Sequence, residues 1–195
     1  LAIPIYIWMP LLMRQPDWDQ ERDSEQTRSS LLAALGLTAM HLADYVPPLQ
    51  PIASEDALLS FPSQDFSHIR LTEPALGAAI RLIETAADDN VRLYPISGFR
   101  SLDYQAELIQ RKLQRGVALE TIMRVNALPG YSEHHTGEAL DLGTSAETDL
   151  ETQFEETRAF EWLAKHAHEF QFSLSYPRNH AHGFIYEPWH WRYVP

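Results

Sequence analysis

Cysteine is absent from all 195 residues. Disulfides and thiolate metal sites are therefore excluded, and any transition metal has to be held by histidine and carboxylate. The absence says little about compartment, because exported proteins can lack cysteine too. Basic residues are scarce: 15 Lys and Arg face 27 Asp and Glu, for a formal net charge of −12. No basic run appears. Nucleic-acid binding needs clustered Lys and Arg to neutralise phosphates, and attraction to anionic membranes needs a polybasic stretch, so neither partner is expected. A membrane-spanning run is also lacking. The opening "LAIPIYIWMPLL" is apolar for twelve positions but too short to cross a bilayer, and two prolines interrupt it. There is no initiating methionine, which raises the expectation of a processed N-terminus from which an export signal could have been removed.

What is present suits a globular protein. Apolar residues make up 45% and charged residues 22% of the chain, ordinary proportions, and the length suffices for one domain with a real core. Residues 13–30 are polar and read as a loop. Residues 31–45 carry Leu31, Leu35 and Leu42 at helical spacing. The proline-rich stretch up to Phe66 reads as an irregular connection. From Thr72 the pattern sharpens. Thr72 is a candidate N-cap, with Glu73 and Pro74 in the first turn, and Leu76, Ala79, Ile80, Ile83 and Ala87 form one stripe. "VRLYPIS" reads as a strand, Ser101 caps a helix running to Arg115, and a shorter helix covers about 118–126. "EALDLG" reads as a strand that turns Asp141 away from the face of Leu140 and Leu142. Thr157 to Phe170 reads as a helix with Phe160, Leu163, Ala164 and Ala167 on one face; "FSLSY" and "GFIYEPWHWRYV" read as strands. Helices first, then short strands mixed with helices, predict an α+β fold with a small antiparallel sheet flanked by helices. Residues 1–60 are expected to form an N-terminal extension and residues 61–195 the functional domain.

Chemistry concentrates in three segments. "SEHHTGEALDL" offers His134 or His135 with Asp141, and "EPWHWRY" offers His190 with Glu187 three positions earlier. Two histidines and an aspartate make a three-ligand site that leaves one position for water, with Glu187 as a general base beside it. One geometric difficulty stands: positions i and i+3 of a regular strand face opposite sides. Pro188 lies between Glu187 and His190 and predicts a bend that reconciles them. "SGFRSLDYQ" adds Arg100, at a strand-to-helix junction, where a guanidinium can grip a carboxylate or stabilise an oxyanion. Gly137 and Ala139 are small where the backbone is expected to pass close to the metal.

These three segments resemble the zinc carboxypeptidases of the vancomycin-resistance (VanY-like) type, the LAS peptidases. The family pattern S-x-H-x-x-G-x-A-x-D is matched by Ser132, His134, Gly137, Ala139 and Asp141. E-x-W-H is matched by Glu187, Trp189 and His190, and S-G-[FY]-R-S with a following glutamine by Ser97, Gly98, Phe99, Arg100, Ser101 and Gln105. The resemblance covers roughly residues 60–195. It implies a LAS/hedgehog-like fold with the zinc site in a cleft on the sheet. It implies one Zn²⁺ held by His134, not His135, with Asp141 and His190; Glu187 as the base; and Arg100, Gln105 and Ser132 on the substrate. It implies cleavage of a terminal D-amino acid from peptidoglycan stem peptides, in the periplasm or at the cell wall. Two departures accompany it. His182-Gly183 replaces a common Thr-Gly pair, which touches substrate preference, and the extension to about residue 60 has no assignable counterpart.

The remaining histidines (His41, His68, His166, His168, His180 and His182) read as solvated or hydrogen-bonded, and His135 as a neighbour of the site. Trp189, Trp191 and Tyr193 read as core packing. Two other functions remain open on sequence: an endopeptidase of the same fold, and a zinc-stabilised cell-wall-binding module without turnover. An intact Glu187 weighs against the second, since binding alone needs no base.

Overall fold

A computed structural model describes residues 18–195, with side chains from residue 24 onward; the apolar opening at residues 1–12 lies outside the described residues. Helix α1 (Trp18–Ala34) is followed by a short α2 (Ala39–Ala43) and a strand β1 (Leu58–Ser60). Then come β2 (Arg70–Thr72), α3 (Glu73–Asp88), β3 (Tyr94–Ser97), α4 (Leu102–Gln114) and α5 (Leu119–Val125). The chain ends with β4 (Ala139–Gly143), α6 (Arg158–His166), β5 (Phe172–Leu174) and β6 (His190–Tyr193). The architecture is α+β, with helices around small antiparallel sheets. Among the described residues no helix is long and apolar enough to cross a membrane.

The four-stranded sheet runs β3-β4-β6-β5, every pair antiparallel. β4 lies inside it, and both its faces are buried. Leu140 and Leu142 enter the main core with Leu71, Leu82, Phe154, Leu163 and Phe172, all at most 2% exposed. Alternation then puts Asp141 on the opposite face. Its register partners are Ser97 on β3 and His190 on β6. The sheet thus joins residues 44 and 49 positions away in sequence from Asp141 at a single rung.

Several local expectations need correction. α1 starts at Trp18, so residues 18–30 are helix and not loop, and the helix expected over 31–45 stops at Ala34. Gly36 (φ 78°) breaks the path before α2 starts. The sequence of α1 is polar nearly all round and gives no apolar stripe; among its described side chains Leu32 joins a core cluster, with Leu35 just past its end, alongside Ala106, Ile109, Ile122 and Leu128. The irregular connection before residue 66 contains β1, paired with β2. The apolar face of α3 is also shifted: Ala75, Ala78, Leu82 and Ala86 are buried with Leu76 and Ala79, whereas Ile80 and Ile83 are half-buried and Ala87 is exposed. On α6, Trp162 is buried and Ala164 exposed. Its indole N–H reaches Asp89 at 2.7 Å, a polar anchor that an apolar-stripe search overlooks. Residues 183–187 precede β6 as irregular chain instead of extending it.

Gly137 closes the turn before β4 with φ 68°, in the left-handed region that favours glycine. A Cβ there would stand 2.8 Å from Leu58 Cδ2 and 3.2 Å from Thr72 Cγ2. What the small residue admits is therefore the β1–β2 ribbon, not a metal. Its carbonyl accepts the Thr72 N–H at 2.9 Å. Gly137→Ala is expected to lower stability by about 1–3 kcal/mol, from the left-handed penalty and local overpacking. Denaturant melts check this; a variant as stable as wild type contradicts the packing described.

Candidate metal centre

His134 is presented by a single helical turn, Glu133–Thr136, capped by Ser132. Its Nδ1–H donates to the Gly98 carbonyl at 2.6 Å. A carbonyl can only accept, so the proton sits on Nδ1 and the Nε2 lone pair is left for the site. Nε2 lies 3.2 Å from Asp141 Oδ2. His190 is arranged the other way round: Nε2 meets Glu133 Oε2 at 3.0 Å and Nδ1 lies 3.0 Å from Asp141 Oδ1. The outer nitrogens, Nδ1 of His134 and Nε2 of His190, are thus taken up by acceptors, and the inner ones, Nε2 of His134 and Nδ1 of His190, both face the Asp141 carboxylate. Backing each ligand imidazole with an acceptor is how metal sites fix the tautomer and orientation. The ligand atoms of His134, Asp141 and His190 all lie within 4.8 Å of one another, in a group that could hold a metal ion. All three residues are buried.

The charges agree with this geometry. Burial pulls His134 down to about 4, so its imidazole is neutral at pH 7. Burial also opposes charge on His190, but its hydrogen bonds to Asp141 and Glu133 prevail and push it up to about 9. Positive charge is therefore favoured where His190 meets Asp141, and a dication displacing that proton meets the same field. Burial acts to raise Asp141, yet the neighbouring His134 and Arg100 hold its carboxyl well below the usual range. Arg100 Nη2 donates to Asp141 Oδ2 at 2.6 Å, and its Nε donates to Ser97 Oγ at 2.9 Å.

Glu187 is the exception among these acids. It is 9% exposed, and burial pushes its carboxyl up to about 7, with the Asp141 charge adding to the effect. Its position resolves the spacing difficulty. Pro188 and Trp189 form a turn, the His190 N–H donates to the Glu187 carbonyl at 3.1 Å, and only then does β6 begin. Glu187 and His190 line one cavity with His134 and Asp141. Arg100, Gln105 and Ser132 line it too, so the structure brings together all seven residues singled out in the sequence. Gln105 is 1% exposed; its Nε2 donates to the Ala127 carbonyl at 2.7 Å, and its Oε1 has no hydrogen-bond partner among the described residues. Ser132 Oγ accepts the His134 N–H at 3.4 Å.

Two residues of the centre were not foreseen. Glu133, held down at about 2 against its burial by His190, Ser175 and Arg192, backs His190. Nothing marks it in the sequence except its place before the histidine pair. Tyr176 packs its ring 4.6 Å from that of His190 and forms a wall of the cavity. His135, whose role was open, is fully buried and structural. Its Nδ1–H donates to the Arg100 carbonyl at 2.6 Å, and its Nε2 accepts the Gly130 N–H at 3.0 Å.

In this small α+β fold two histidines and an aspartate converge across an antiparallel sheet, with a buried glutamate lining the same cavity, a donor set that could hold one metal ion. Residues 68–195 match the family model described as VanY: D-alanyl-D-alanine carboxypeptidase, and the chain belongs to that family. It is 38% identical over 101 residues to a D-alanyl-D-alanine carboxypeptidase of Enterococcus faecium, covering 50% of this chain and 28% of that one. Its structure is similar to the LdcB LD-carboxypeptidase (TM-score 0.63, 26% identity, 75% of this chain and 71% of that one). It is also similar to a vancomycin-resistance D,D-pentapeptidase VanY variant in complex with Zn(II) (TM-score 0.60, 25% identity, 75% and 84%). The chain spans between 28% and 59% of the length of the curated relatives it matches.

The two adjacent histidines are expected to behave differently. His134→Ala should abolish zinc binding, read by metal content after dialysis. His135→Gln should retain zinc but lose about 1–3 kcal/mol of stability, through buried polar groups left unpaired. Burial pulls His135 down to about 4. The unfolded chain therefore takes up a proton between about pH 6.5 and 4 that the folded one refuses, and wild-type stability falls as pH falls through that window. His135→Gln should show a shallower fall in pH-dependent melts. An unchanged slope contradicts the buried neutral imidazole.

Proposed function

We propose that this chain is a zinc-dependent carboxypeptidase that removes a C-terminal D-amino acid, D-Ala, from peptidoglycan stem peptides. The observation that carries the reading is the convergence of His134, Asp141 and His190 within 4.8 Å, in a cavity also lined by a buried Glu187 whose carboxyl is pushed up by burial. The donor set fits zinc: the neutral imidazole of His134, the His190 imidazole once the metal displaces its Nδ1 proton, and one carboxylate, with no thiolate in the chain. Bound there, zinc supplies Lewis acidity and lowers the pKa of water toward neutrality.

The remaining steps fall to the protein's own groups. Glu187 takes the proton of the attacking water on its carboxylate and returns it to the leaving amine. A carboxyl near 7 suits both directions of transfer at neutral pH. Arg100, already against Asp141, puts a permanent positive charge where the tetrahedral oxyanion develops, which suits it better to transition-state stabilisation than to a distant grip on the peptide end. Ser132 and the unpartnered Oε1 of Gln105 offer hydrogen bonds to the peptide. The cavity is about 160 Å³, against roughly 300–1,000 Å³ for sites that hold drug-sized ligands, which favours a small terminal residue such as alanine. The substrate places the activity in the periplasm or at the cell wall. A buried glutamate tuned to neutrality is of no use to a binding module without turnover, and this favours the enzyme.

Glu187→Gln is expected to keep zinc at the wild-type level and to lower kcat on a D-Ala-terminated peptide by about 10²–10⁴-fold, the usual worth of a general acid–base. Metal analysis alongside product mass spectrometry measures both. Zinc retained with turnover retained shows that Glu187 is not the base.

A further inference from the structure

α4 brings a second polar residue to the cavity besides Gln105. Lys112 lies seven residues further along, two helical turns, and so on the same face. Both line the cavity that contains Glu187 and the three candidate ligands. Lys112 is half-buried, and its ammonium donates to Asn126 Oδ1, a neutral amide. Among the described residues no acidic side chain forms an ion pair with it, although the chain carries 27 acidic residues. Burial pulls its pKa down, and the nearby charge of Glu187 is the strongest electrostatic effect acting the other way. A partly desolvated ammonium with only an amide partner is an incomplete arrangement, and a carboxylate completes it.

Two Lys or Arg side chains line this cavity, Arg100 and Lys112. Arg100 is committed to Asp141 and Ser97. Lys112 is the one without a carboxylate. Its neighbour Glu187 is, on the reading proposed above, the group that protonates the leaving nitrogen. An α-amino acid carries its nitrogen and its carboxylate on one carbon, so the groups that serve the two must be neighbours in the protein. Lys112 and Glu187 meet that condition.

We infer that Lys112, with Asn126 beside it, is the specificity-determining cation that receives the C-terminal carboxylate of the peptide and so confines this site to exopeptidase cleavage. The inference rests on the peptidase reading. It assigns Lys112 to the departing residue, Arg100 to the developing oxyanion and Glu187 to the proton, three roles in one small cavity.

The test uses zinc-loaded protein and one stem-type peptide ending in D-Ala-D-Ala, in three forms: free C-terminus, C-terminal amide, and free C-terminus with its upstream acidic side chain amidated. Wild type is expected to favour the free acid over the terminal amide by about 10–100-fold in kcat/KM, the range of a charge-assisted hydrogen bond in a partly buried site. In Lys112→Met this ratio should fall toward one, chiefly through KM, while Lys112→Arg retains much of it. An unchanged ratio in Lys112→Met overturns the inference. So does a loss in Lys112→Met that follows the upstream carboxylate instead of the terminal one. If Lys112→Met fails to fold, Lys112→Gln gives the same comparison. If wild type cleaves none of the three, the peptidase reading fails on its own, and calorimetric binding of free acid and amide decides about Lys112. Equal losses for both ligands, or none, overturn its role; loss confined to the free acid supports it.

Discussion

The Asp141 carboxylate is the group around which the rest is arranged. It is 2% exposed, and a charge that deep has to be paired and hydrogen-bonded to survive. Its two oxygens meet Arg100, His134 and His190. Each of these comes from a different element, so satisfying one carboxylate fixes the loop after β3, the turn before β4 and the start of β6 relative to one another. Removing the aspartate would leave the half-buried Arg100 guanidinium and the His190 Nδ1–H without their shared acceptor, and the candidate ligand group without its carboxylate. The same arrangement that costs desolvation makes a centre suited to a dication.

A second layer holds that first one in place. Gly98 and Glu133 accept from the outer nitrogens of His134 and His190. Arg192, on β6, meets Glu133 in turn at 3.3 Å. His135 ties the carbonyl of Arg100 to the N–H of Gly130, coupling the arginine loop to the turn that carries the ligand histidine. The N-terminal part of the chain joins this support, since the Ala53 N–H donates to the His135 carbonyl at 2.8 Å and the Gln50 N–H to that of Gly130 at 2.9 Å. Residues 50–53 are thus hydrogen-bonded directly to the segment that bears the ligands.

Much of the fold was legible where the residues obey simple periodicities. α3 and α4 begin after Thr72 and Ser101 as their N-cap residues suggest, and β4 alternates Leu140 and Leu142 against Asp141. α1 was not legible, because a helix polar on most sides has no stripe to read. The shifted face of α3 was hidden by alanines, which pack as well as isoleucine against a close neighbour yet weigh little in an apolar pattern. Of the centre, the sequence showed which residue types converge but not how. The turn through Pro188 and Trp189 that brings Glu187 to the cavity, and the opposite tautomers of His134 and His190, depend on contacts between segments far apart in the chain. Glu133 and Lys112 were invisible for the same reason: a glutamate before a histidine and a lysine on a helix are ordinary until their surroundings are known.

The most direct test of the central claim is the mass of the product from a D-Ala-terminated stem peptide, measured with metal-depleted protein before and after zinc is returned. The account predicts no cleavage without zinc, and loss of a single terminal D-Ala once one equivalent is restored in wild type but not in Asp141→Asn. Cleavage that persists in excess chelator, or that Asp141→Asn supports as well as wild type, would contradict it.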